Sequence, residues 1–403
     1  MKSYKMNSLD YLCFIIILII TSCNRTYNKS EDGLYAIDPR TFVDNKILLS
    51  ELADDIQYIP LDNSIPFVHF KYVITSRAIY VAAKGIGILK FDSKGKLTEK
   101  IGARGKGPGE FRYGMAFTVD DLTGNIYILD PTTIFVYSPG GRFIRDIPLN
   151  EYGSYGFNDI EIFNSLLFIP DHLPTGESKN CWIFLDTLGR PVAMRKNYIP
   201  PFQSGIETPG NIYKYGNNIF YYNYFNDTIF SVSPDLSDTC VYLFAQGDFR
   251  WPKERIVVTR ESLATQFNNI FRPSQMFETK KYLIFHYAYR DQCAIALIDK
   301  EYRKTFLLYR KEKNMDGKTV PIACITNDID GGLPLDNINY YHENGYEYFT
   351  SLIDPFQLKS HIVSESFKKA NPKYPEKKKE LEKLASGLKE TDNPVLVMVR
   401  LKH

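Results

Sequence analysis

Two stretches of this chain repeat one another closely enough to dictate its architecture. The first runs Ala78-Ile-Tyr-Val-Ala82, Ile88-Leu-Lys-Phe-Asp-Ser-Lys-Gly-Lys-Leu97 and Lys100-Ile-Gly102. The second runs Asn125-Ile-Tyr-Ile-Leu-Asp130, Ile134-Phe-Val-Tyr-Ser-Pro-Gly-Gly-Arg-Phe143 and Asp146-Ile-Pro148. Tyr80 and Tyr127 lie 47 residues apart, and Gly95 and Gly141 lie 46 apart. A period of ~40–50 residues built from several short apolar runs is the spacing of β-propeller blades. Helical solenoids are excluded, because no helical periodicity fills the units.

The register continues with more divergence. Unit three holds Leu166–Pro170, Trp182–Gly189 and Pro191–Met194; unit four holds Asn218–Tyr222, Thr228–Ser233 and Cys240–Phe244. Unit five holds Tyr282–Tyr287, Ala294–Asp299 and Thr305–Leu308. Unit six holds Ile338–Tyr341, Tyr346–Thr350 and, after an insertion, Val395–Leu401. Unit six then lacks a fourth strand, while Asp55–Leu61 is a strand without a unit. Placing it as the outer strand of the last blade closes the ring and hides sheet edges. The expected fold is therefore all-β, a six-bladed β-propeller of four-stranded antiparallel blades, with the propeller over residues 46–403. The 29 Tyr and 27 Phe supply the aromatic residues that strands favour.

Units one and two resemble NHL-type repeats. The Gly105-Lys-Gly-Pro-Gly-Glu-Phe111 link, Asn226–Phe230 and the ending Asp392–Lys402 resemble the six-bladed β-propeller lipoproteins of Bacteroides-like bacteria. That family is known by fold and location more than by activity, so the resemblance implies little biochemistry.

The N-terminus gives an address. Lys2 and Lys5 precede the apolar run Tyr11–Ile20, followed by small Thr21 and Ser22, the layout of a secretory signal over residues 1–22. About ten apolar residues are too few to cross a ~30 Å hydrocarbon core as a helix. Cys23 follows an Ile-Thr-Ser box, which resembles a bacterial lipoprotein signal and implies lipidation at Cys23. Residues 23–45 are then expected to form a flexible tether. The implied location is the cell envelope, lipid-anchored to the outer membrane, with the periplasmic or surface side left open. Without residues 1–22 the chain carries 47 basic and 46 acidic residues, a balance with no electrostatic case for nucleic acid.

Cys181, Cys240 and Cys293 fall in strands of different units, so they and Cys324 are expected as isolated thiols rather than disulfides. No cysteine or histidine spacing matches a zinc site. No cofactor is expected, and nothing in the spacing supports Ca²⁺ or Zn²⁺ in the central channel.

Strands of a meander alternate in direction. The loops between second and third strands therefore open on the same face as the links between blades. The irregular segments crowd there, which nominates this face for ligand binding. The candidate residues are Arg104, Lys106, Glu110, Asp171, His172, Tyr224, Asp227, Arg250, Trp251, Arg290 and Asp291. In the glycine link, the glycines permit an anion nest to which Arg104 and Lys106 add charge. The competing reading is a tight turn in which Glu110 and Arg112 brace the blades. Trp251 beside Arg250 offers a stacking platform for a sugar or peptide, against a lid residue packed on the rim. Residues 357–392 form a helical insertion in which Leu381, Leu384 and Leu388 share one face.

Two functions follow. The first is a membrane-anchored binding or protein-interaction module for a peptide, a glycan or an envelope protein, with no catalytic residues. The second is an envelope lyase or hydrolase with a metal-assisted site at the channel mouth. It requires convergence among the carboxylates above and His69, His172, His286, His342, His361 and His403.

Overall fold

The computed structural model describes residues 34–402, except 115, 153–156, 171–176, 198–199, 202–209, 223–224, 226, 246, 252–266 and 314–316. These residues form six separate β-sheets, none of which closes on itself. Sheet I holds His69–Ile74, Ile79–Ala83, Gly87–Phe91 and Leu97–Ile101. Sheet II holds Ala116–Val119, Ile126–Asp130, Thr133–Tyr137 and Phe143–Pro148. Sheet III holds Glu161–Phe163, Leu166–Pro170, Asn180–Asp186 and Pro191–Lys196. Sheet IV holds Asn211–Tyr215, Asn218–Tyr222, Thr228–Val232 and Asp238–Phe244, and sheet V runs from Arg272–Glu278 to Thr319–Ala323. Sheet VI combines both ends of the chain: Asn339–Glu343, Tyr346–Ile353, Val395–Leu401 and, on its outer edge, Ala53–Pro60. The N-terminal strand pairs antiparallel with the C-terminal one, Ile56 opposite Val399 and Ile59 opposite Leu396.

The middle strands are why these sheets stack. All five residues of Ile79–Ala83 and of Ile126–Asp130 are buried, so both faces of each strand pack against neighbours. Strands covered on both faces read as continuous apolar runs, which is how the repeat first appears in the sequence. Side chains then join each sheet to the next. Lys90 donates to Pro139 O between sheets I and II (2.9 Å), and Thr118 to Glu161 between II and III (2.7 Å). Lys214 pairs with Glu161 between III and IV (2.9 Å). Asn211 exchanges two hydrogen bonds with Met276 between IV and V (2.9 and 3.0 Å). Phe277 stacks on Tyr340 between V and VI, and Tyr72 and Thr350 hydroxyls meet between I and VI (3.0 Å).

Two segments depart from the sequence expectation. Residues 34–45, assigned above to the tether, are packed. Ala36–Ile37 adds a parallel strand to the edge of sheet IV, and Ile37 is fully buried. Phe42 sits against Phe271, Phe285 and Tyr287, where burying an aromatic ring outweighs the entropy of a free tail. Sheet V also gains a fifth strand, Thr319–Ala323.

The insertion forms helices Pro355–Ile362, Glu365–Lys369 and Pro375–Gly387, with Leu358, Phe367 and Leu381 buried in the core. Beside it, the turn Asn327–Gly332 ties three regions together. Asp328 accepts from Ser50 N (2.8 Å), Gly331 O meets His361 Nε2 (2.8 Å), and Tyr58 OH donates to Asp330 (2.8 Å). No helix among the described residues is long and apolar enough to cross a membrane.

Candidate functional site

The first strand of every sheet carries polar side chains toward one shared space. Polar side chains interrupt it: Lys71 in sheet I, Thr118 in II, Glu161 in III, Asn211 and Lys214 in IV, Gln275 in V and Asn339 in VI. These six strands line one cavity of about 860 Å³, inside the ~300–1,000 Å³ range of ligand clefts. Its walls include turns that join first to second strands, among them Asp121-Leu122, Asn164-Ser165 and Gly216-Asn217.

One wall is charged. Lys71 Nζ reaches Asp159 Oδ1 at 3.1 Å, and Lys214 Nζ reaches Glu161 Oε1 at 2.9 Å. Thr118 donates to the same Glu161 oxygen at 2.7 Å. Each of these four charged side chains keeps between a quarter and a half of its surface open. Burial alone would discharge Lys71, yet Asp159 and Glu161 hold its pKa above the ordinary lysine value. Burial would likewise raise Glu161, but Lys214, the Thr118 hydroxyl and Lys71 bring it below the usual carboxylate range. Lys71 and Glu161 are therefore both ionised near neutral pH.

Sheets V and VI contribute aromatic and amide side chains to the lining, Tyr340, Tyr341, Asn339 and Gln275. Burial pushes Tyr72 up to about 12 despite its hydrogen bond to Thr350, so this phenol stays neutral. The carboxylates nearer the turns are engaged. Asp120 accepts from Leu122 N (3.0 Å) and Thr123 Oγ1 (2.6 Å). Asp121 accepts from Ser76 N (3.3 Å), and Glu347 from Lys280 N (2.7 Å) and Tyr340 OH (2.9 Å).

None of the described residues named from the sequence for the ligand-binding face lines this cavity, whereas His342, named for the metal-assisted reading, does. The cavity walls take in the turns between first and second strands, whereas the named loops lie at the opposite ends of the strands. In the glycine link, Gly107 N donates to Glu110 Oε2 at 2.9 Å, so the protein's own carboxylate takes this amide. A Cβ on Gly105 would fall 1.9 Å from that same oxygen. Gly102 has a φ of 64°, and a Cβ there would meet the Phe111 ring at 2.6 Å; Phe111 is buried beneath it. The loop is a tight turn closed on its own Glu110, with Arg104, Lys106 and Arg112 exposed, so the bracing of the blades by Glu110 and Arg112 is not what these contacts give.

Arg250 is 9 % exposed and Trp251 6 %, the packed lid of the two readings rather than the open platform. Trp251 packs with Phe225, Phe267 and Ile270 because the indole gains more from burial than from solvent. Arg250 Nε donates to Asp227 Oδ1 at 2.6 Å and its Nη2 to Tyr222 OH at 3.3 Å. This clamp fastens the sheet IV–V link to the second-to-third-strand turn of sheet IV. Arg290 and Asp291 are exposed, and Asn268 donates to Asp291 at 3.3 Å. Asp171, His172, Tyr224, Cys23 and His403 lie outside the described residues.

Among the described residues no three His, Cys, Asp or Glu side chains gather closely enough to hold a metal ion. His286 is pushed down to about 4 by burial and stays neutral. Cys181, Cys240, Cys293 and Cys324 form no disulfide among the described residues.

Six sheets joined side to side around a polar, ligand-sized cavity define an all-β, propeller-like protein. The chain belongs to the family described as Domain of unknown function (DUF4934), whose model matches residues 34–400. Among solved structures, it is similar to a Bacteroides fragilis protein assigned as exported. That likeness has a TM-score of 0.60 at 18% identity, covering 90% of this chain and 98% of that one. Lower scores relate it to a streptogramin B lyase (0.38, 14% identity, 73% of this chain and 94% of that one). The extracellular domain of a Bacteroides thetaiotaomicron one-component system scores 0.38 at 10% identity, covering 73% of this chain and 38% of that one. No curated protein matches the sequence.

Proposed function

We propose that this protein is a binding protein of the cell envelope. It is read as a six-bladed β-propeller, closed by Ala53–Pro60 on Val395–Leu401, that takes a ligand in the cavity among its first strands. The single observation that carries this reading is that cavity, to which every sheet contributes. Its ionised and amide groups fix orientation, and its tyrosines supply apolar area, the mixture that ligand sites use. The side-chain contacts that run from sheet to sheet, and from VI back to I, support the ring.

The secretory pattern of residues 1–22 supports export, and lipid on Cys23 would hold the protein at the outer membrane. The fold likeness to the exported Bacteroides fragilis protein agrees with that address.

Thermal melts against a metabolite and glycan library test the cavity. A ligand that binds the folded state raises Tm by mass action. The expected result is a compound that raises Tm of the wild type and fails to raise that of Lys214→Met. Equal shifts in both proteins would place the ligand elsewhere and refute the cavity as the site.

A further inference from the structure

The charges of the cavity wall are arranged in a way that selects among ligand chemistries. Lys71 and Lys214 carry two positive charges, and Asp159 and Glu161 carry two negative ones, already paired. The quartet is neutral as a unit. An ionic ligand docked on these pairs must break one of them or leave its own charge uncompensated, both costly in a partly enclosed site, and Asp120, Asp121 and Glu347, outnumbering Lys280 elsewhere in the lining, further disfavour an anion.

The pairs are not saturated. The Glu161 hydrogen bonds from Thr118, Ile162 N and Lys214 all fall on Oε1, leaving Oε2 without a partner among the described residues. Asp159 uses Oδ1 for both Lys71 and Ile160 N, leaving Oδ2 in the same condition. The Lys71 ammonium makes one of the three hydrogen bonds open to it. Acceptors and donors with spare capacity therefore stand side by side.

We infer that the ligand of this cavity is a neutral saccharide, bound with its hydroxyls along the Lys71–Asp159 and Glu161–Lys214 pairs. This rests on the reading of the cavity as the binding site. A hydroxyl both donates and accepts. Adjacent hydroxyls of one sugar ring can give a proton to a carboxylate oxygen and accept one from the neighbouring ammonium, leaving both ion pairs intact. Such bonds to charged groups are stronger than neutral ones. Elsewhere in the lining Tyr340 and Tyr341 offer aromatic surface with polar tips, which suits the less polar face of a sugar ring. The volume of about 860 Å³ leaves room for several sugar units.

The test is an array of neutral, uronate-bearing and amino-sugar oligosaccharides, followed by calorimetry with the bound compounds. A dipeptide library is titrated in parallel. The proteins are wild type, Glu161→Gln, Lys214→Met and Asn217→Trp, the last adding bulk in a turn of the cavity wall while keeping both ion pairs. Neutral oligosaccharides are expected to bind the wild type. Glu161→Gln and Lys214→Met should each weaken them roughly 10- to 100-fold, the range of one hydrogen bond to a charged group. If either variant fails to fold, Asn217→Trp alone must abolish binding. Binding restricted to acidic or basic sugars overturns the inference, as does neutral-sugar binding that the folded variants leave unchanged. Dipeptide binding lost in Lys214→Met, with no sugar bound, overturns the saccharide while keeping the cavity. Binding of neither class overturns the inference, and the thermal-melt screen then decides the fate of the cavity reading.

Discussion

Asp330 is wholly buried and satisfied. Tyr58 OH donates to it at 2.8 Å, Asn327 Nδ2 at 2.7 Å and Gly332 N at 2.8 Å. Burial nevertheless dominates, and its pKa stands above the ordinary carboxylate value. The unfolded chain therefore ionises this group at lower pH than the folded one. Its contribution is fully present below the unfolded pKa and falls as pH rises toward the folded pKa. In denaturant titrations across the acid range, wild type should lose stability relative to Asp330→Asn as pH rises. A stability difference that does not change with pH would contradict this. Phe111 makes a second residue-scale case. It lies under Gly102 and Gly114, each with positive φ and no room for a Cβ against its ring. Phe111→Ala is expected to cost about 3–5 kcal/mol in chemical denaturation. Gly102→Ala should also destabilise, through strain at its φ and collision with the ring.

At the scale of elements, the outer strand of sheet VI is the most exposed to test. Deleting residues 394–403 removes the partner of Ala53–Pro60 and strips Val397, Val399 and Leu401 from the core. The truncated protein should show no cooperative melt, while a chain lacking residues 1–22 should melt like the full one. Similar melts for both would refute this role for the C-terminal strand. The sequence exposed these strands unevenly, for a physical reason. Ile79–Ala83 and Ile126–Asp130 are buried on both faces and stand out as unbroken apolar runs. His69–Ile74 and Asn211–Tyr215 mix polar and apolar residues because one side faces the cavity, so they carry no such run. The signal for the site was present in that contrast, in Lys71, Glu161 and Lys214 within otherwise apolar repeats. Attention to irregular loops pointed instead to Arg250 and Trp251, which fasten the scaffold. Side-chain pairs such as Lys71–Asp159, 88 residues apart, need the fold to bring them together.

For the whole molecule, the proposed lipid sets a testable address. Under the proposal of a lipid on Cys23, Cys23→Ala should leave Tm unchanged and move the protein from the membrane fraction to the soluble one. A variant that still sediments with membranes after a salt wash would show that another contact holds it. Sheet VI has a consequence for biogenesis. Ala53–Pro60 is made about 335 residues before its partner. At ~5–20 residues per second that is a wait of about 20 to 70 s. During that interval the strand is a bare edge carrying Ile56 and Ile59, able to pair with any passing strand. A chain that fastens its first strand with its last leaves that edge open until synthesis ends, and a molecule cut short before Val395 lacks the strand that would cover it.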